Sequence, residues 1–295
     1  MSGEPPSWLT RGKGLAPRLA WSFRTDADLV FLCYARECGE TFVGDQSGSI
    51  YRLDRRGQIL SLTRGLRQLR AGGWSDVGGS GLLALGDDQI SWLGPGMQVE
   101  WSMHLPDSVL ALTVDPYGDY AVVTLQGGTN FVVNRFKKRV GLFQTPRPIR
   151  FVQFVTERAE FVAAAEHSHL SRHRWNGDEI WNHRLLSSIA DLAVTEDGSV
   201  ILLAAMNLGV QSYDGNGDSR ASYVLNGTAM QLATSVTAER IAVATLEKRL
   251  YWLDSTGHLL WGTELDEPVA ELVCDPFGEW ILFGTTSGRV VRLEW

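Results

Sequence analysis

The chain repeats itself every 40 residues, seven times, without an insertion or deletion. One column of the repeat holds Gly44, Ala84, Thr124, Ala164, Ala204, Ala244 and Gly284, all small. A second holds Ile50, Ile90, Asn130, Leu170, Val210, Leu250 and Val290. A third holds Leu29, Leu69, Val109, Ile149, Ile189, Ala229 and Val269. A fixed period of this length marks units that cannot bury their faces alone and must stack, as a solenoid or a propeller. Function, if it is binding, is then confined to loops the repeat does not constrain.

Within each unit, short β-type runs alternate with turn signals. Near the C-terminal end, AELVCD is followed by the turn Pro276-Phe277-Gly278, then WILFGT, the turn Ser287-Gly288, and VVRLEW. The preceding unit adds a fourth run, HLLWGTEL, after Ser255-Thr256-Gly257. No helical periodicity of comparable length competes. Four strands in about 40 residues is the length of one propeller blade. The expectation is an all-β, seven-bladed β-propeller with four-stranded antiparallel blades over residues 16–295, preceded by a tail of residues 1–15. The small-residue column falls mid-way in the second strand, where a bulky side chain would meet the next sheet.

The two ends of the chain sharpen this. The last unit has three strands, and residues 19–25 (LAWSFRT) align with 259–265 (LLWGTEL). The N-terminal strand should therefore close the ring beside Val290–Trp295, because an unpaired edge would leave a row of backbone donors and acceptors exposed. Trp21 opens a column continued by Ser61, Trp101, Gly141, Trp181, Ala221 and Trp261, with Trp recurring every 80 residues. These indoles are expected to be structural, each burying a large area on its blade's outer strand. In the tail, Pro5-Pro6-Ser7-Trp8-Leu9 carries a Trp that either docks on the propeller or is presented to a partner.

The segments TFVGDQSGSIYRLD (41–54) and WILFGTTSGRVVRLEW (280–295) look like WD40-type blade halves. The Trp-Asp pair that closes a WD40 third strand is missing; Asp54, Asp214 and Asp254 occupy the Asp place. The segment 240–265 resembles a PQQ-like (quinoprotein-like) blade, with Leu253-Asp254, Thr256-Gly257 and Trp261 matching that family's Leu-Asp, Thr-Gly turn and docking Trp. Non-enzymatic members of both groups are scaffolds, so the resemblance implies a scaffold. Enzymatic quinoproteins need a cofactor site, and none is found in the sequence.

A net charge of −7 argues against a dedicated nucleic-acid binder. The charge is uneven: residues 135–174 carry nine Lys/Arg against three acids, and residues 176–295 carry seven against seventeen. A basic sector around Lys137, Lys138, Arg139, Arg147 and Arg150 is the basis of a nucleic-acid reading, the weakest of three. Arg64 and Arg67 add basic charge between the first two blades. Cys33, Cys38 and Cys274 show no framework spacing and read as reduced thiols. MSGEPPSWLTRGKGLAP has no apolar core of a signal peptide, and no stretch approaches a membrane-spanning length. The expected location is the cytoplasm, and the expected fold is monomeric.

There is no P-loop, dinucleotide fingerprint or nucleophile elbow. GGWSDVGGSG (72–81) is glycine-rich without the Lys and helix context of a phosphate loop, and reads as a flexible or bulged blade segment. EHSHLSRHRW (166–175) clusters histidines. His167 and His169, two apart, would share a strand face and are the candidate metal ligands, weakened by the lack of a third ligand. His173 sits in a column of core residues and, if buried, needs a hydrogen-bond partner. No metal or cofactor is expected.

The first strand of each blade lines a propeller's channel. In its second and third positions Arg70, Arg150, Asp191, Gln231 and Glu271 break an otherwise apolar pattern, so they are the candidate partner-binding residues at the channel mouth. The reading is a non-catalytic scaffold holding a protein partner of unknown identity on one face. The alternative is a small-molecule binder or enzyme with its site at that mouth.

Overall fold

Runs rich in Val, Leu, Ala and aromatics form strands here because both faces of every blade are covered by neighbouring blades. The computed structural model describes residues 6–295. Seven four-stranded antiparallel blades surround a central channel: blade 1 (29–63), blade 2 (69–104), blade 3 (109–144), blade 4 (151–188), blade 5 (189–223), blade 6 (229–264) and blade 7 (269–294 with 18–24). The chain's two ends close the ring as expected. Arg18–Arg24 pairs antiparallel with Arg289–Glu294, from Arg18 opposite Glu294 to Arg24 opposite Arg289.

Strands run between two faces. The upper face carries the blade-to-blade crossovers and the turns between second and third strands. The lower face carries the other two turns of each blade. The small-residue column does what its chemistry suggests. A Cβ on Gly284 of blade 7 would sit 2.4 Å from Leu29 of blade 1, and Thr124 of blade 3 donates its hydroxyl to Ile149 O at 2.7 Å, at the entry to blade 4.

Two bulges recur around the ring. The outer strand slips register just before the Trp column in every blade, for example between Leu19 and Trp21 and between Val99 and Trp101. A bulge re-aims a side chain, and here it sends each indole toward the next blade's lower turn. Trp21 Nε1 donates to Arg55 O (2.9 Å), Trp101 to Arg135 O (2.7 Å) and Trp181 to Gly215 O (3.0 Å). Trp261 has no such acceptor; its ring meets Trp295 edge-on at 5.8 Å. The Asp place that resembled WD40 is a turn builder: Asp54, Asp214 and Asp254 each accept two backbone N–H groups of their own turn through Oδ1.

The structure refines three local readings. GGWSDVGGSG is a blade segment as expected, and the register slips between Leu69 and Ala71 just before it, the bulged rather than the flexible alternative. Leu69–Trp74 is the first strand of blade 2, and its glycines admit the Phe31 ring, which a Cβ on Gly72 would approach to 2.5 Å. Trp74 is buried and stacks on Phe42 at 4.0 Å. Of the two places expected for Trp8, the structure shows the docked one: it is only 3% accessible. It lies in the short helix Ser7–Thr10, packs against Phe283 of blade 7, and its carbonyl accepts the Thr263 hydroxyl of blade 6. Lys13–Gly14 then adds a fifth strand to blade 6, so the tail straps the last seam of the ring; Pro5 lies outside the described residues. Blades 4 and 5 lack the loop expected between them: Glu179–Val194 runs as one strand through both.

Candidate functional site

The second recurring bulge builds the channel wall. In six blades the first strand slips register between its first and third positions, for example Leu69/Ala71 and Val269/Glu271. Successive strand residues normally point to opposite sides. The bulge turns the second and third positions to the same side, so both face the channel. Arg70, Asp191, Gln231 and Glu271 are placed this way, and Arg150 of blade 4, just before a first strand without the slip, joins them in lining one cavity of about 750 Å³ walled by all seven blades.

Their electrostatics differ. Arg70 at the rim is paired with Asp87 of its own blade. Arg150 is exposed, with no ion-pair partner among the described residues. Asp191 is held from both sides. It accepts the Leu192 N–H at 2.8 Å and, across the seam to blade 6, the Leu232 N–H at 2.7 Å. Enclosure nevertheless dominates and pushes its carboxyl up to about 7. Glu271 has no hydrogen-bond partner among the described residues, and enclosure plus the Asp191 charge push it to about 8. Both groups keep some accessible surface because the channel admits water, but protein on every side withholds the full hydration a carboxylate needs. Cys33, on the same wall, is raised to about 12 by burial and then by Glu271, so its thiol stays protonated.

Sequence reasoning missed Cys33 and Gln153. Gln153 of blade 4 accepts the Val194 N–H of blade 5 at 2.8 Å, a seam contact like that of Asp191. Both sit two positions further along strands whose mouths were inspected, so the same column reading reaches them.

The lower end is tied shut. First-to-second-strand turns bond to one another around the ring: Glu37 N to Asp76 O (3.0 Å), Val77 N to Pro116 O (3.3 Å), Glu157 N to Glu196 O (3.1 Å) and Val236 N to Pro276 O (3.0 Å). Arg36 of blade 1 reaches Glu196 of blade 5 at 3.2 Å and Asp76 of blade 2 at 3.9 Å. Beneath the large cavity there remains a pocket of only about 160 Å³.

The histidines do not converge. Ser168, at φ +61°, puts a bulge in the strand His167–Arg174, and the register slips between His167 and His169. His167 is exposed and His169 is buried, so the expected shared face does not exist. Burial lowers the His169 pKa. No group of three or more His, Cys, Asp or Glu side chains able to hold a metal occurs among the described residues. His173 is the core substitute its column implied: it stacks on Phe161 at 5.3 Å, and Nε2 meets Ser171 Oγ at 2.9 Å.

The basic sector of residues 135–174 is not one surface. Lys137, Lys138 and Arg139 flank a lower turn of blade 3, whereas Arg147 and Arg150 lie at the upper crossover into blade 4. Arg172 is buried against Glu160 and the Gly198 and Gly215 carbonyls. The cations are thus divided between opposite faces and the interior.

The upper face carries a feature that the search for polar departures passed over. Leu186, on the continuous strand that passes from blade 4 to blade 5, and Val224, in the crossover from blade 5 to blade 6, are nearly fully exposed, and Leu208 and Leu246, in the upper turns of blades 5 and 6, are also exposed. Backbone bonds knit these loops together: Met206 N to Ser188 O (3.0 Å) and Leu246 N to Thr228 O (2.9 Å). Elsewhere the column of Val224 holds Arg24, Arg64, His104, Gln144, Arg184 and Glu264. An apolar residue in a polar loop column is therefore the sequence signal.

No family model matches the chain, and no curated protein is similar in sequence. Solved structures are. The β-propeller domain of Myceliophteria thermophila Cps50 (Swd1) superposes with a TM-score of 0.80 at 14% identity, covering 95% of this chain and 99% of that one. The chain has the β-propeller fold. In all, 1829 solved chains match it; a fold so widely reused does not select a function. No helix among the described residues is long and apolar enough to cross a membrane.

Proposed function

We propose that this propeller is a non-catalytic interaction scaffold that holds a protein partner on its upper face, around the channel mouth. The carrying observation is the set of exposed Leu186, Leu208, Val224 and Leu246 in the upper connections of blades 4 to 6. Exposed apolar side chains gathered on one face of a folded ring cost solvation and mark interaction sites. Leu186 stands on the continuous strand Glu179–Val194, a rigid mount that limits the ordering cost of docking. Arg150 and Arg70 line the channel on the same face and supply polar groups there. The partner is a folded or extended protein with an apolar centre. The three unpaired cysteines support a reducing, cytoplasmic setting.

The test is affinity purification from the native cell with three baits. The parent chain and a lower-face control, Phe136→Glu/Phe277→Glu, are expected to capture the same protein at the same yield. Leu186→Glu/Val224→Glu is expected to lose it. Equal capture by all three baits excludes the upper face. A second reading, a small-molecule site in the well, is favoured by Asp191 and Glu271, whose enclosed carboxyls face a cavity of about 750 Å³. A stoichiometric small ligand in the purified protein, lost in Glu271→Gln, would favour it over the scaffold.

A further inference from the structure

Each blade's outer strand presents an edge, unpaired among the described residues in all but blade 6, and such edges are usually blunted by charge. Six of the seven follow that rule: Glu100 in blade 2, Arg139 in blade 3, Glu179 and Arg184 in blade 4, Arg220 in blade 5, Glu264 in blade 6, and Arg18 and Arg24 in blade 7. Blade 1 does not. Its outer strand Ile59–Thr63 reads ILSLT, with no charged residue, and Ile59, Leu60 and Leu62 are 51%, 53% and 36% accessible.

The molecule itself demonstrates what such an edge can accept. In blade 6, Lys13 pairs with Gly262, Gly14 with Trp261, and Leu15 N donates to Leu260 O at 3.0 Å. In the 40-residue register, Leu60, Ser61 and Leu62 of blade 1 are the counterparts of Leu260, Trp261 and Gly262. The bulge is the same too, at Leu60 in blade 1 and Leu260 in blade 6. The edge geometry that receives a fifth strand in blade 6 is thus repeated in blade 1, where no described residue occupies it.

Charge selects the occupant. Arg55 and Arg56 stand just before the strand, and Arg64 and Arg67 just after it, all exposed. Arg64 alone of the four has an ion-pair partner among the described residues, Asp26 at 3.1 Å. A second copy of this chain, paired in either direction, would set arginines against arginines at both ends of the new ladder. Like charges across a ladder are destabilising. A strand with apolar residues at its centre and acids at both ends meets opposite charge instead.

We propose that the outer edge of blade 1 is a strand-addition site that receives an extended, acid-flanked apolar segment of another protein as a fifth strand. Backbone pairing along Leu60–Leu62 supplies the ladder, Leu60 and Leu62 supply side-chain contact, and the arginines set partner sign.

The test uses a synthetic peptide of alternating Val and Thr between two Glu-Asp pairs, its twin with Lys-Lys in place of each Glu-Asp, and the full chain, by fluorescence anisotropy at low salt. The acidic peptide is expected to bind saturably and the basic twin at least about tenfold more weakly. Leu62→Pro, which removes the edge N–H equivalent to that of Gly262, is expected to weaken the acidic peptide at least about tenfold. Leu60→Lys/Leu62→Lys, a surface change that keeps every backbone donor, guards against misfolding and is also expected to lower affinity although it adds positive charge. Unchanged affinity in Leu60→Lys/Leu62→Lys would mean simple charge attraction and overturn the site. So would no saturable binding, equal binding of both peptides, or a dimer in sedimentation that Leu60→Lys/Leu62→Lys dissolves.

Discussion

The two ends of the channel are made of the same repeat and are built differently. At the lower end, neighbouring turns exchange backbone hydrogen bonds, and Arg36 reaches across the ring to Glu196. At the upper end, which opens into a cavity of about 750 Å³, Arg150 and the apolar Leu186, Leu208, Val224 and Leu246 are exposed. Both rims carry backbone bonds between blades, at the upper one Val109 N to Asp87 O (2.8 Å), Ile189 N to Glu166 O (2.9 Å) and Leu29 N to Thr286 O (3.1 Å); only the lower adds an ion pair that spans the ring, and only the upper adds the exposed row of Leu186, Leu208, Val224 and Leu246. Cross-blade ties hold a ring together, whereas exposed apolar surface contributes nothing to folding. That difference is why we propose recognition at the upper rim and look to the lower for the larger stability losses.

The largest expected effect sets the scale for both rims. Deleting residues 1–26 removes the closing strand, the Trp8 plug and the strap on blade 6, and should cost more than about 5 kcal/mol, much of a domain's whole stability. Urea unfolding measures it, and an unchanged midpoint would mean that neither rim depends on closure.

Next, Arg36→Ala should destabilise by about 1–3 kcal/mol, because it strands Glu196 and leaves Asp76, already raised by burial, without its cation. Leu186→Glu/Val224→Glu should stay within about 0.5 kcal/mol of the parent. Equal losses at the two rims in thermal unfolding would erase the distinction between them.

A pH dependence inside the well tests the same contrast from the channel side. Glu271 is raised to about 8 when folded and titrates near 4.3 when unfolded. Between those values the folded state binds more protons, so stability is fully present at low pH and falls as pH rises through about 8. Glu271→Gln abolishes that term. Its melting temperature relative to the parent should rise by about a few degrees from pH 5 to pH 8.5. A constant difference across that range would place Glu271 in ordinary water and remove the enclosed character of the well.

Much of this was legible in the chain. The column of small residues, the closing match of residues 19–25 to 259–265, and the Trp column each depend on a fixed period, and the structure gives each the role its chemistry suggested. The five mouth residues were found the same way, as polar side chains in an apolar column, and one cavity gathers them. The apolar residues of the upper loops were equally readable as departures of the opposite sign, but attention to polar chemistry passed over them.

Other features needed the folded ring. His167 and His169 separate because Ser168 adopts a positive φ, which no periodicity reports. Trp8 is buried only because blades 6 and 7 together leave a place for it. The basic stretch scatters because a run of sequence visits both faces of a blade within ten residues. Period and side-chain type are local properties, and the sequence determined by itself whatever followed from them: seven blades, their closure and their channel-facing columns. Which side chains meet across a seam, which charges lose their water, and which edges stay bare depend on residues 40 or more apart coming together, and only the tertiary structure decided those.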